Sequence, residues 1–223
     1  MVMEEREYET LGIILNIKNF AENDSIVKVL LPSGIKFLFA KGIQKVESKN
    51  RRNLPILGLV NLEIIKSKII DHISTLKRAT LVSYFPINPT LQNIYEKTLF
   101  FLNRINNKDL EIFINRYNIF LNNVEIKPNH SFSFILLCLL EVFGFKPNFE
   151  HCVECKNKDN IIDFEFYKGG FLCLEHSKNT KEIKFLQALY WLNKNFDYFK
   201  NNISEEESVK INLLIIEWLS SLI

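Results

Sequence analysis

The chain has 223 residues, 47% hydrophobic and 24% charged, with a formal net charge of +2; it is long enough for one large domain or two modest ones, each with its own core. So small a net charge excludes a nucleic-acid assignment from bulk charge alone, and only the placement of the charges can carry one. Nineteen phenylalanines against seven glycines reflect compositional bias and carry no function.

The chain starts with Glu4, Glu5, Glu7 and Glu9 against Arg6, the reverse of the cationic and then apolar segment of a secretory signal. From Glu9 to Phe85 the sequence reads as short strands punctuated by turns. Leu11–Ile17 is continuously apolar, Ser25–Leu31 is β-prone, and Pro32-Ser33-Gly34 turns the chain into Ile35–Ala40. Leu59–Ile65 and Ile69–Phe85 follow. Five strands in about eighty residues with no helix of ordinary length predict a small closed barrel of the kind that binds oligonucleotides.

Charge is concentrated within this region. Lys36, Lys41, Lys45, Lys49, Arg51 and Arg52 are answered only by Glu47, on one strand and the loop after it. Lysine and arginine neutralise phosphates and release counterions, and the interleaved Phe37 and Phe39 could stack on unpaired bases if exposed. The competing expectation is a solvated basic loop, with the two phenylalanines alternating as core-facing strand residues do.

After Pro86 and Pro89 the spacing becomes helical. Thr90–Ile105, Asp109–Leu121 and Ser131–Phe145 show apolar recurrences of three or four, and Gly144 with Pro147 stops the third. The run Phe132–Phe145 contains Glu141 and is shorter than the ~20 residues that span a bilayer. Helices resume at Thr180–Phe196 and Ser204–Leu222, where Ser204 and Glu207 have capping-box spacing. Cys138, in the third helix, reads as a buried thiol.

Between these helices lies Glu150–His176. Cys152 and Cys155 form a CxxC, and seventeen residues later Cys173 and His176 form a CxxH. Two ligands two residues apart can both turn inward at a tight knuckle, and two knuckles supply the four corners that zinc accepts. Ile161–Tyr167, the turn Lys168-Gly169-Gly170 and Phe171-Leu172 predict a hairpin that returns one knuckle to the other. Four protein ligands make a closed, structural site. His151 competes with His176 as the fourth ligand. A redox CxxC is the alternative, but the helix start that activates such thiols is missing.

These readings predict an α+β chain: an N-terminal OB-fold barrel over residues 1–85 and an all-helical domain over 86–223 with a zinc-knuckle insertion at 150–176. P-loop, dinucleotide fingerprint, GxSxG and HExxH are absent, and His72 and His130 stand isolated. No catalytic residue is expected and the chain is not read as an enzyme.

Several stretches carry a resemblance. Gly12-Ile13-Ile14-Leu15, Phe20-Ala21-Glu22-Asn23-Asp24-Ser25-Ile26-Val27, Ala40-Lys41-Gly42-Ile43 with Lys45, Ser48, Lys49 and Arg51, and Gly169-Gly170-Phe171-Leu172-Cys173 resemble, in order, the RecO family of DNA-repair recombination mediators. The chain departs from the family in having His176 for a fourth cysteine and Leu31-Pro32-Ser33-Gly34 for a Thr-led turn. The resemblance implies binding of single- and double-stranded DNA, annealing of complementary strands, and help to the RecA recombinase in displacing single-strand-binding protein. It also implies RecR and the single-strand-binding protein's C-terminal tail as partners. Apart from the resemblance, the acidic start and three cysteines clustered at metal spacing predict a soluble protein of a reducing compartment, cytoplasmic and nucleoid-associated, with structural zinc. A zinc-stabilised adaptor that binds only proteins is the runner-up, and a thiol oxidoreductase using Cys152 and Cys155 the third.

Overall fold

The computed structural model describes residues 6–69, 72–107 and 109–222. Glu4 and Glu5 of the acidic start and Ile70 and Asp71 of the expected fifth strand lie outside the described residues. The chain forms two compact units, Met1–Glu125 and Ile126–Ile223.

In the first unit, β1 (Glu7–Asn19), β2 (Ser25–Leu31), β3 (Gly34–Ala40), β4 (Leu59–Ile65) and β5 (Ser74–Ser83) close into a barrel in the order β1-β2-β3-β5-β4. This is the expected OB-type barrel. Strand β1 is long enough to serve two neighbours: Glu7–Ile13 pair with β4 and Ile13–Asn19 with β2. The register shifts between Ile14 and Asn16, and a bulge there bends the strand from one partner to the other. Closure comes from a short parallel pairing, Leu38 with Ser74 and Phe39 with Thr75. Val27, Val29, Leu38, Val60, Leu62 and Ile64 fill the interior. Gly12 belongs there because a Cβ would stand 2.7 Å from side-chain carbons of Val29 and Leu31.

Two helices complete this unit: α1 (Gln92–Leu102), entered through a short 3-10 turn that the Asn88 side chain caps, and α2 (Glu111–Asn123). Helix α2 packs on β1 and β5. The Tyr117 hydroxyl donates to the Leu57 carbonyl at 2.9 Å, and the Leu110 N–H donates to the Pro32 carbonyl at 2.9 Å. Pro86 therefore marks where strands give way to helices, while the packing divides the chain only after Glu125. The apolar stripe of α2, with Phe113, Tyr117 and Phe120 buried, accounts for the difference.

The second unit holds α3 (Pro128–Val142), the hairpin β6 (Ile161–Glu165) and β7 (Gly170–Cys173), α4 (Ile183–Lys194), α5 (Phe196–Asn202) and α6 (Glu205–Leu222). Helix α3 packs on α6. It ends as expected: Gly144 has φ +83°, and the Phe145 N–H reaches back to the Leu140 carbonyl at 2.8 Å. The helix expected over Thr180–Phe196 is α4, which begins at Ile183 and stops at Lys194, and a short helix not foreseen follows it. Asn195 is extended, and its side chain accepts the Tyr198 N–H at 2.9 Å, so it starts a new short helix. At α6 the Ser204 hydroxyl accepts the Glu207 N–H, one half of the expected capping box.

Candidate metal centre and basic surface

The two knuckles meet because Asn148 stitches the segment before Cys152 to the strand that carries Cys173. Its N–H donates to the Gly169 carbonyl, its carbonyl accepts the Phe171 N–H, and its side chain accepts the Glu150 and His151 N–H groups. Only glycine fits opposite: Gly170 has φ +145°, and a Cβ there would collide with the Asn148 carbonyl. Each knuckle then turns on itself. The Cys152 carbonyl accepts the Lys156 N–H at 2.9 Å, and the Cys173 carbonyl accepts the His176 and Ser177 N–H groups at 2.9 and 3.0 Å.

The result is a cluster of Cys152, Cys155, Cys173 and His176 whose donor atoms all lie within 4.8 Å of one another. Sulfur and nitrogen at zinc-bond lengths from one tetrahedral centre stand roughly 3.5–3.8 Å apart. Cys155 Sγ to Cys173 Sγ is 3.7 Å, Cys152 Sγ to His176 Nδ1 is 3.8 Å, and Cys173 Sγ to His176 Nδ1 is 3.2 Å. The four side chains could hold a metal ion, and their number leaves no corner for substrate.

Electrostatics favour a ligand at Cys152. Burial works against its thiolate, but the backbone N–H groups of Cys155, Cys173 and Glu154 and the Cys155 thiol outweigh it and bring the pKa down to about 6. At Cys155 the Asn157 N–H favours the thiolate, while desolvation and the Cys173 and Cys152 thiols push the pKa up.

His151 stands outside the cluster because both ring nitrogens are engaged. The Asn148 Oδ1 already accepts two N–H groups, so its Nδ2 donates to His151 Nε2 at 3.0 Å; Nδ1 then carries the proton and donates to the Cys152 carbonyl at 3.1 Å. The sequence reading missed Asp163. Buried on β6, it accepts the Ser177 hydroxyl at 2.6 Å and so fixes the chain just after His176. A lone acid in a β-prone run gives no signal of this.

On the barrel, all six predicted basic residues are exposed. Lys41, Lys45, Lys49, Arg51 and Arg52 share the segment between β3 and β4. Lys36 does not join them: it sits five residues back along β3, roughly 17 Å at strand rise. The segment is not a free loop. Ile43 and Leu54 are buried in the barrel core, Asn50 accepts the Ala79 N–H at 3.0 Å, and Asn53 donates to the Ala79 carbonyl at 2.8 Å. Those anchors bring Lys49 beside Lys77 and Arg78 of β5, around a cleft of about 720 Å³. Both are exposed but already answered by carboxylates, Lys77 by Glu7 and Glu63 and Arg78 by Glu63 at 3.6 Å. Phe37 and Phe39 are not core residues: Leu38 and Ala40 take the inward positions, and Phe37 is 51% exposed.

Residues 3–85 match the family described as "Recombination protein O N terminal", and residues 120–188 match "Recombination protein O C terminal". Among curated relatives, the chain is similar to the DNA repair protein RecO of Mesoplasma florum, at 29% identity over 203 residues, covering 82% of this chain and 74% of that one. The RecO of Mycoplasma capricolum is 30% identical over 161 residues, 68% of this chain and 64% of its own. That of Latilactobacillus sakei is 26% identical over 232 residues, 96% and 84%. A solved Entamoeba histolytica asparaginyl-tRNA synthetase is similar at a TM-score of 0.32 and 14% identity, over 76% of this chain and 40% of that one, too low to bear on fold or function.

Proposed function

Because this chain belongs to the RecO family of DNA repair and recombination proteins, we propose that it is a non-enzymatic mediator that binds single- and double-stranded DNA and anneals complementary strands. In the same reading it helps RecA replace single-strand-binding protein, with RecR and the tail of that protein as partners.

The observation that carries this reading is the anchored cationic segment of the barrel. Lys41, Lys45, Lys49, Arg51 and Arg52 are exposed on a backbone held by Asn50, Asn53, Ile43 and Leu54, so the charges are presented with little loss of backbone entropy on binding. Such interactions are sequence-independent and salt-sensitive. They hold two strands without fixing their register, as annealing requires.

Cys152, Cys155, Cys173 and His176 would hold zinc, whose chemistry there is to cross-link the two knuckles. The residues fit: three thiols and an imidazole gathered within 4.8 Å, with Cys155–Cys173 and Cys152–His176 at the separation a tetrahedral zinc sets, and one thiol poised toward thiolate. Asn148, Gly170 and Asp163 position the knuckles.

The test is a salt titration of binding to single-stranded and duplex DNA, comparing the native chain with one in which Lys41, Lys45, Lys49, Arg51 and Arg52 are all alanine. Each phosphate that the variant leaves unneutralised lowers the slope of log K against log salt by about 0.9 on duplex and about 0.7 on single strands. The expected outcome is a slope smaller by about 3–4 on duplex. An unchanged affinity and slope would remove the segment from the site. A native chain that binds an acidic tail peptide but neither form of DNA would favour the protein-only adaptor.

A further inference from the structure

The cysteines of the candidate metal centre are not equally reachable. Cys152 is fully buried and Cys173 is 3% exposed, both packed with Leu172, whereas Cys155 is exposed. The difference follows from where each sits. Cys173 ends β7, and Cys152 is pinned on both sides, its N–H donating to the Asn157 carbonyl at 2.8 Å and its carbonyl accepting the Lys156 N–H at 2.9 Å. Cys155 belongs to the run Glu154–Asn160, every residue of which is exposed. A small oxidant arriving from solvent meets the Cys155 sulfur first.

Behind that sulfur stands one from the other knuckle, the Cys173 Sγ, 3.7 Å away. A disulfide needs about 2.05 Å, so the two sulfurs have under about 2 Å to close. The exposed run can supply that movement while Cys173 stays on its strand. Cys152 faces elsewhere, with the His176 Nδ1 at 3.8 Å from its sulfur. The structure thus favours a pair across the knuckles over the Cys152–Cys155 pair that CxxC spacing suggests.

We propose that Cys155 is an oxidation site with Cys173 as its resolving thiol, so that a peroxide exchanges the metal cross-link for a disulfide between the same two knuckles. The Cys155 thiolate attacks one peroxide oxygen, the O–O bond breaks, and a sulfenic acid forms as hydroxide leaves. The Cys173 thiolate then attacks the Cys155 sulfur, the S–O bond breaks, and a second hydroxide leaves. Two thiolates are oxidised by two electrons and one peroxide is reduced. A disulfide sulfur no longer carries the thiolate charge that binds metal, which leaves Cys152 and His176, two ligands where zinc takes four. The fold survives the exchange. Cys155 and Cys173 are 18 positions apart, so the new bond closes the loop that the metal closed, and the Asn148 stitch involves no sulfur. A Cys152–Cys155 bond would close one turn and leave the other knuckle untied. The inference rests on the metal-centre reading and adds how that centre answers an oxidant.

The experiment treats the full zinc-loaded chain with hydrogen peroxide beside a colorimetric zinc chelator, then blocks free thiols with iodoacetamide and maps the digest by mass spectrometry. One zinc should leave for each disulfide formed, and the bond should join the Cys155 and Cys173 peptides. Cys152 and Cys138 should be alkylated only after denaturation, and the helical circular dichroism should persist. Dithiothreitol with zinc should restore the starting state. Cys155→Ser should slow peroxide oxidation of Cys173 by about tenfold or more; the comparison is made on chelator-stripped native and variant chains, so that a ligand lost to zinc does not enter. The proposal is overturned if the mapped bond joins Cys152 to Cys155, if the three thiols oxidise at equal rates, or if zinc leaves only as the helical signal is lost. Failure of the metal reading looks different: the purified chain would hold no zinc, while the stripped chain would still form the Cys155–Cys173 bond.

Discussion

Gly170 shows what a single position can decide. Its φ of +145° is open to glycine and strained for any other residue, and the space a methyl group would fill is taken by the Asn148 backbone, whose nitrogen would lie 2.7 Å from it. Gly170→Ala should therefore unstitch Asn148 from β7, lowering stability by at least about 1–3 kcal/mol and reducing bound zinc in the purified protein. His151→Gln, by contrast, should leave zinc content unchanged, since His151 serves Asn148 and the Cys152 carbonyl. Cys152 contributes one pH-dependent part of the site's stability. Its folded pKa of about 6 lies below the usual thiol range, so the stability it adds is complete above that range and is lost as pH falls through about 6. Bound zinc pulls the thiolate further in the same direction. Acid titration with a colorimetric chelator should show zinc held at pH 7 and released only below about 6; release that began near pH 8 would contradict the role given to the three N–H groups. At this scale the sequence was legible where spacing carries the chemistry, in the CxxC and CxxH. It was silent on Asp163 and favoured His176 over His151 only by the symmetry of the two knuckles, because both depend on who accepts whose hydrogen bond.

At the scale of elements, the strands were readable from apolar runs and turn residues, but barrel closure was not. The parallel pairing of β3 with β5 joins segments more than thirty residues apart and leaves no local pattern. The outward turn of Phe37 and Phe39 was equally hidden, since alternation says that they share a face and not which face it is. The short helix α5 did have a signal, an asparagine before Phe-Asp-Tyr, but seven residues are too few for helical periodicity to register. The basic segment read from composition either as a phosphate-binding stretch or as a solvated loop, and neither reading held its backbone in place; Asn50 and Asn53, two residues of ordinary turn chemistry, anchor it to the Ala79 backbone. Replacing both with alanine should speed hydrogen exchange at the Ala79 amide and weaken duplex binding about two- to fivefold, as expected if up to about 1 kcal/mol goes to reordering the segment. The salt slope should not move, because no charge is removed. A slope that fell with the two alanines would mean that Asn50 and Asn53 touch phosphate themselves.

For the whole molecule, the change of composition at Pro86 and the division of the fold after Glu125 make opposed predictions about what folds alone. Hydrogen bonds join the barrel to the helices beyond Pro86, among them Lys28 to the Asn103 side chain at 2.7 Å. Leu57, at φ +61°, has its N–H on the Ile14 carbonyl at 2.7 Å and its own carbonyl on the Tyr117 hydroxyl. The Leu110 N–H closes on Pro32, and Asn118 receives the Ser83 hydroxyl at 2.8 Å. Helix α2 moreover lies on β1 and β5, in the unit where Ile13 and Leu15 are fully buried although Ile14 between them points into the barrel. Cutting at residue 85 would remove that cover and leave the Leu57 carbonyl without its donor, a loss of about 1–3 kcal/mol for the hydrogen bond alone and more for the exposed apolar surface. A fragment of residues 1–125 should thus unfold cooperatively in urea and keep the salt-dependent affinity for DNA, whereas residues 1–85 should show neither a sharp transition nor a dispersed amide spectrum. In the longer fragment, Tyr117→Phe isolates the hydroxyl: it should lower the urea midpoint by an amount equivalent to about 1–3 kcal/mol without changing the slope. If residues 1–85 melted as sharply as 1–125, the helices would be neighbours of the barrel and not part of its fold.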